Sequence, residues 1–397
     1  MINKTSTETI QLKHRLKAKK WANELVFVIA MWLLSRLVIV VAMQIIAPLL
    51  PAAVMQQKVN MEAQEAFPGF VATRGWELFS HWDGNWYQRV ATLGYEYVND
   101  GNQHSIAFFP LFPLVSRAVM TFGLPFEVAG TLVNNLAFLG ALGLLYIWVK
   151  ERHGISAARW ATAVLAWCPF SLFGTVAYTE GLFLLLSTAA LRSFDNRQHA
   201  WAALWGAMAS ATRVNGAALI PAFLLVAWRE RRPLVAYAAA LATGGGLLLF
   251  SVYCAIYFGE PLAFVHAQQG WQPHTGFNWR VWWDLFAQDL SLGKGWSTAC
   301  LSLIKVVTFF GGGYVLWRLR TQLSRVTVAY GFCAIALVIT SGAIKSIARF
   351  TFSIVSVSIA LGVLLAWHPR WGYATIGLFA ILLVYFCVRF SWLLWVA

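Results

Sequence analysis

The chain has 397 residues, of which 59% are hydrophobic and 12% charged, with a mean hydropathy of +0.62. A soluble protein averages about 25% charged residues, so this composition excludes a water-soluble globular protein and implies a polytopic α-helical membrane protein. The formal net charge of +14 belongs to membrane topology rather than to nucleic acid, because Lys and Arg gather in cytoplasmic loops.

Residues 1–24 read as a basic cytoplasmic tail (Lys13, Arg15, Lys17, Lys19, Lys20) ahead of the apolar run Leu25–Leu50. That run is too long for a cleavable signal core and has no small-residue cleavage pattern at its end. Further clusters follow at Lys150/Arg152/Arg159, Arg192/Arg197, Arg229/Arg231/Arg232, Arg318/Arg320/Arg325 and Arg370. With all of them on the cytoplasmic side, the spans between pair into outward hairpins. About eleven spans result, near 25–48, 127–149, 158–177, 179–193, 200–213, 214–229, 234–258, 298–317, 326–343, 350–366 and 371–394. The pieces 179–193 and 200–213 are short for a bilayer at 1.5 Å per residue, and could be half-helices or re-entrant segments lining a cavity.

Two large extracytoplasmic loops are predicted, 49–126 and 259–297, bearing short interfacial helices. Ile106–Phe122 is apolar but interrupted by Pro110 and Pro113, which fits an interfacial or re-entrant element better than a full span. The tryptophans of Trp271–Trp283 read as an aromatic belt at the headgroups. Nothing divides the chain into a separate soluble unit, so residues 1–397 are read as one membrane domain. The five cysteines are scattered through apolar spans without ligand-like spacing and read as small hydrophobes. No phosphate loop, HExxH or GxSxG motif occurs, which leaves an ATP-driven pump or a zinc protease without support.

The threading brings five polar clusters to one side: His81/Asp83/Asn85/Tyr87; Tyr178-Thr179-Glu180-Gly181; Thr212-Arg213-Val214-Asn215-Gly216; His266/Gln268/Gln269/His274; and Ser341/Lys345/Ser346/Arg349. Each has an ordinary structural explanation. Asp83 could cap a helix starting at Gly84, Glu180 could cap a hairpin or pair with Arg213, the arginines could be snorkelling anchors, and His81 and His266 could be hydrogen-bonded structural histidines. Their convergence favours function, because ionisable groups near membrane depth are costly and mark functional paths. Asp83 and Glu180 are candidate proton acceptors. Arg213, Lys345 and Arg349 are cations suited to a phosphate.

At these residues the chain resembles the PIG-V mannosyltransferases, members of the GT-C membrane glycosyltransferases. The resemblance is carried by His81-Trp82-Asp83-Gly84-Asn85-Trp86-Tyr87, Ala107-Phe108-Phe109-Pro110-Leu111-Phe112-Pro113, Pro169-Phe170 through Tyr178-Thr179-Glu180-Gly181, Ala211-Thr212-Arg213-Val214-Asn215-Gly216, and Ser341 to Arg349-Phe350. Phe112, Val214, Gly181 and Phe350 stand where that family more often has Tyr, Pro, Ser and Tyr.

The resemblance implies a GT-C fold, an extracytoplasmic active site, a polyprenyl-phosphate sugar donor (mannose above all) and inversion at the anomeric carbon. It places Asp83 as the catalytic carboxylate, which would take the proton of an acceptor hydroxyl. Glu180 would orient the acceptor or hold Arg213, and is the second choice of base. Arg349, Lys345 and Arg213 would bind the donor phosphate. His81, Trp82, Trp86, Tyr87, Tyr178, Asn215 and His266 would contact substrate. No closed metal-ligand set is visible, so neither metal nor cofactor is expected.

The rival readings are a GT-C enzyme moving another sugar to lipid or protein, and a lipid or sugar transporter. A transporter should show charged residues on both sides of the midplane and pseudo-symmetric halves, which the sequence does not display. The compact chain and its unadorned C-terminus lean towards a bacterial inner membrane, with a cytoplasmic N-terminus and a periplasmic site.

Overall fold

A computed structural model describes residues 3–50, 74–271, 279–280, 282–283, 296–342 and 346–396; these are helices joined by turns, and no strand occurs among the described residues. The first helix, α1 (Asn3–Val41), runs on through one wide turn, Ala42–Ile46, to Leu49. Among the described residues, four helices are long and apolar enough to cross a bilayer: Trp21–Leu49, Phe126–Trp167, Ala299–Arg318 and Pro369–Ser391. A fifth crossing results if Leu234–Ala242 and Gly245–Phe258, bent by 44°, form one span. Charge threading gave about eleven, and the difference lies in the short helices and in where the longer ones break.

Between the first helix and the next long one, α2 (Asp83–Leu93) and α3 (Leu111–Met120) are short helices on either side of a 3-10 turn, Ser105–Ala107. Pro110 and Pro113 start α3 rather than break it: one precedes the helix and the other lies in its first turn, where backbone N–H groups have no helical partner to lose. Phe112 is buried while Leu114 is largely exposed, the amphipathic pattern of an element lying across the surface of the helical body.

Helix α4 (Phe126–Trp167) carries two of the predicted spans and changes direction at Gly154, whose φ of 86° only glycine adopts without strain. It stops ten residues before the predicted end of the second span, because Pro169 has no N–H to continue the ladder, and a 3-10 turn, Pro169–Gly174, takes over. Helix α5 (Glu180–Asp195) is buried on nearly every side, as an all-round apolar helix must be. It packs between α4 and α6 (His199–Thr212). Then come α7 (Leu219–Arg229), α8 (Leu234–Ala242), α9 (Gly245–Phe258) and α10 (Ala263–His266).

The second half contains α11 (Trp296–Val306), α12 (Gly312–Arg318), α13 (Arg325–Ser341), α14 (Ile347–Phe352), α15 (Val355–Trp367) and α16 (Pro369–Ser391). Ser324 caps α13 by accepting from the Thr327 N–H at 3.2 Å, and Gly342 ends it in the left-handed conformation. Helix α15 crosses α4 closely, and small residues allow it: a Cβ on Gly362 would lie 2.5 Å from the Ala161 backbone. Small residues at crossings are how helices approach in membranes, where no hydrophobic force separates lipid from protein contact.

This crossing is testable by thermal unfolding of the purified protein. Gly362→Ala should destabilise by about 1–3 kcal/mol. Gly245→Ala, whose new methyl would find its nearest neighbour at 3.5 Å, should unfold like the parent.

Candidate functional site

Four charged side chains from four segments meet beside a cavity. Glu180 is fully buried, and its Oε1 accepts from both Arg213 Nη1 and Arg349 Nε. Arg349 Nη1 reaches on to Asp83 Oδ2 at 2.6 Å. Arg213 and Arg349 are each 7% exposed, while the Asp83 side chain retains 26% of its surface. Two guanidiniums therefore balance two carboxylates, with Asp83 as the carboxylate that opens outward. The Arg349 guanidinium also lies over the rings of Tyr178, at 4.5 Å, and Phe173, at 5.1 Å. Arg213 covers Phe350 at 5.3 Å. Charges removed from water need partners of this kind to remain ionised.

Local chemistry explains how each group is held. The Tyr178 hydroxyl donates to the His81 carbonyl at 3.0 Å and accepts from the Asp83 N–H at 3.2 Å, so one phenol pins the turn that presents Asp83. Trp82, inside that turn, has φ 55°, a strained value for a bulky residue. The Ala177 N–H donates to the Phe79 carbonyl at 2.8 Å, docking the turn on the segment leading to Glu180. That segment is held in turn by α4. Asn134 donates to the carbonyls of Phe173 and Val176, both at 2.7 Å, and accepts from the Gly181 N–H at 2.7 Å. Asn135 donates to the Thr175 carbonyl at 2.9 Å. Gly181 must remain small, since a Cβ would lie 2.3 Å from the Asn134 carbonyl oxygen. Arg213 follows α6 in an extended conformation, which swings it out of the helical path towards Glu180.

The cavity has a volume of about 450 Å³, within the usual range for a small-ligand site. Asp83, Tyr87, Arg213, Asn215 and Arg349 line it, together with Phe108, Gln268, Trp271 and Trp395. Of the substrate-binding candidates, Tyr87 and Asn215 face the cavity directly. Tyr87 is buried, its hydroxyl lies 3.4 Å from Thr179 Oγ1, and burial pushes its pKa up to about 12, so it remains a neutral hydroxyl. Tyr178 lies beneath the ionic network. Trp82 stands edge-on to Trp395, and Trp86 stacks on Phe108 and meets Trp271 edge-on.

His266 does not join the four charges. Its Nδ1 pairs with Glu260, while its neighbours Phe264, Val265 and Gln268 supply the cavity wall. His81 packs its ring near Phe390 at 5.8 Å. Lys345 and His274 lie outside the described residues.

Two alternatives left open by the sequence are resolved by this geometry. The Asp83 side chain caps no helix, since α2 begins at Asp83 itself without a side-chain cap; its carboxylate goes to Arg349 instead. Arg213 and Arg349 are not snorkelling anchors, because both turn inward to Glu180. The sequence reading missed Asn134, Asn135 and Trp395. The asparagines did leave a signal: two adjacent amides inside the apolar stretch 127–149, a costly placement without a specific partner. Among the described residues no cluster of three or more His, Cys, Asp or Glu side chains could hold a metal ion.

The family profile of Mannosyltransferase (PIG-V) matches residues 23–227. The GPI mannosyltransferase 2 of Drosophila pseudoobscura pseudoobscura is 29% identical over 119 residues, 27% of this chain and 25% of that protein. The human GPI alpha-1,6-mannosyltransferase 2 is 27% identical over 148 residues, 34% of this chain and 29% of that protein. The matched segment thus spans about a quarter of each relative. Among solved structures, ArnT from Cupriavidus metallidurans bound to undecaprenyl phosphate has a TM-score of 0.51 at 14% identity, over 88% of this chain and 62% of that one. At that identity the likeness is one of fold, that of the GT-C enzymes.

Two outcomes follow from the site's electrostatics. Glu180→Gln keeps the shape but leaves two buried guanidiniums without their shared anion, and should cost about 3–5 kcal/mol in thermal or chemical unfolding. Burial also lowers the His81 pKa from 6.5 to about 4. Its stabilising effect is complete above pH 6.5, where both folded and unfolded forms are neutral, and is lost as pH falls towards 4 and only the unfolded chain takes a proton. Unfolding midpoints measured across that window should fall less steeply for His81→Gln than for the parent.

Proposed function

The chain belongs to the PIG-V mannosyltransferase family, and on that premise we propose that it transfers mannose from a polyprenyl-phosphate donor to an acceptor hydroxyl, with inversion, at the extracytoplasmic face. The observation that carries this reading is the linked set Asp83–Arg349–Glu180–Arg213 beside the cavity. It sets a carboxylate open to the cavity beside two guanidiniums held by a second, buried carboxylate. The undecaprenyl phosphate bound to the fold neighbour ArnT has the lipid-phosphate chemistry that such cations suit. The excess of cytoplasmic Lys and Arg in the charge threading supports the outward orientation.

In this mechanism the donor phosphate lies against Arg349 and Arg213, whose planar guanidiniums suit its oxygens. Lys345, close in sequence to Arg349, would add a third positive charge. The acceptor hydroxyl lies at Asp83, which removes its proton as the oxygen attacks the anomeric carbon from the side opposite the phosphate. The new carbon–oxygen bond forms as the bond to phosphate breaks, and polyprenyl phosphate leaves as a monoester bearing the additional negative charge. Arg349 and Arg213 stabilise that charge where it develops. No general acid is required, because phosphate is a good leaving group. Glu180 acts as a positioning residue: it holds both arginines without lining the cavity itself. The neutral Tyr87 hydroxyl can donate to a substrate oxygen, and the Asn215 amide, which also lines the cavity, can do the same.

Transfer assays on purified protein test these roles. Asp83→Asn is nearly isosteric and should lower kcat by roughly 10²–10⁴-fold, with binding of the donor lipid retained. An active Asp83→Asn enzyme would remove Asp83 from the role of base. Arg349→Ala should weaken donor use by roughly 2–5 kcal/mol; an unchanged donor dependence would move the phosphate site elsewhere.

A further inference from the structure

The segment 392–396, far in sequence from the polar clusters, contributes one side chain to the cavity. Trp392, Leu393, Leu394 and Val396 are buried, whereas Trp395 keeps 39% of its surface and lines the cavity alongside Asp83 and Arg349. A tryptophan of an interfacial belt would face the headgroups. This one faces a cavity lined by Asp83, Arg213 and Arg349.

The backbone of the segment is built to hold that position. Leu393 adopts φ 56°, a left-handed conformation that a branched side chain seldom takes. The Leu394 N–H turns back to the Arg389 carbonyl at 3.0 Å. The Arg389 guanidinium, 3% exposed, donates to the Trp395 carbonyl from Nε at 3.2 Å and from Nη2 at 3.0 Å. Trp392 anchors the turn by donating from its indole to the Ala47 carbonyl at 3.0 Å. A buried arginine that donates twice to the carbonyl of one short turn is a costly device, and strain of this kind gathers where a functional group must be aimed.

Trp395 is aimed at Trp82. Their ring centroids are 5.4 Å apart and their planes 83° apart, so the two indoles form a corner. Trp82 precedes Asp83 directly and is itself strained at φ 55°. Two strained backbone positions therefore flank one aromatic corner beside the carboxylate.

We infer that Trp395, braced edge-on by Trp82, forms the wall of a subsite that grips the hexose ring of the donor lipid. The inference rests on the reading of the site as a polyprenyl-phosphate sugar transferase. In that reading the ring undergoing transfer must lie between the phosphate at Arg349 and the acceptor oxygen at Asp83. A pyranose presents a face of C–H groups with slight positive charge, and this complements the negative face of an indole. The charged residues then hold phosphate and acceptor, while the aromatic corner distinguishes a glycosylated lipid from the bare lipid phosphate left after transfer. Such a distinction also aids turnover, since the product lipid loses the stacking contact once its sugar has moved.

The test compares binding of two probes, dolichyl-phosphate mannose and dolichyl phosphate, to the full-length protein in lipid nanodiscs. The parent should bind the mannosylated lipid more tightly than the bare one. Trp395→Ala should lose on the order of tenfold in affinity for the mannosylated lipid and stay within about twofold for the bare lipid, which also reports that the variant is folded. Trp395→Phe should retain most of the preference. An equal loss for both lipids, no loss for either, or a parent without preference would overturn the subsite. An Arg349→Ala arm separates the two readings: unchanged binding of bare dolichyl phosphate would contradict the phosphate site, and the Trp395 comparison would still report on the sugar.

Discussion

One carboxylate oxygen, Glu180 Oε1, accepts from two guanidiniums in a position with no solvent exposure, and the arrangement of the site depends on it. Removing three charged groups from water is costly, and the cost is offset only when geometry and partners are right. The position of Glu180 is therefore prescribed by its surroundings: the Asn134 amide below, the Tyr178–Thr179 turn before it, and the start of a helix buried on nearly all sides. Arg349 is pinned through Nε by this carboxylate and presents Nη1 to Asp83. The partly exposed acid that faces the cavity thus takes its orientation from a buried acid behind it.

The same constraint explains why four separate segments must come together. Asp83 comes from the start of a short helix in the first long connection, Glu180 from the start of a buried helix, Arg213 from the end of the next, and Arg349 from a short helix in the C-terminal third. None of the charged groups except Asp83 would be stable at its depth alone. Assembly of the helices and assembly of the charge network are therefore one event, which is the physical basis for expecting Glu180→Gln to reduce stability as well as activity.

Much of this was legible in the residues. Composition identified a helical membrane protein, and charge asymmetry brought the polar clusters to one side. The prolines at Pro110 and Pro113 were recognised as incompatible with a full span, although their role as helix starters depends on where the first turn falls. What was illegible depended on three-dimensional proximity. The sequence could not show that His266 is occupied by Glu260, nor that Arg213 and Arg349 share one oxygen. Trp395 was hidden for a different reason. In an apolar tail a tryptophan reads as one more hydrophobic residue, and only the Arg389 clamp and the left-handed Leu393 reveal that it is aimed. Span counting was limited in the same way, because α5 and α6 are short and α5 gains its stability from neighbours rather than from lipid.

The central claim is that this cavity moves a sugar from a lipid phosphate by direct displacement. Purified protein in nanodiscs, supplied with an acceptor panel and either β-linked polyprenyl-phosphate mannose or GDP-mannose, tests it most directly, with mass spectrometry and NMR of the product. The account predicts transfer from the lipid donor alone, an α-linked product, and release of polyprenyl phosphate in equal amount. Transfer from GDP-mannose without the lipid, or a product that keeps the β configuration, would contradict it.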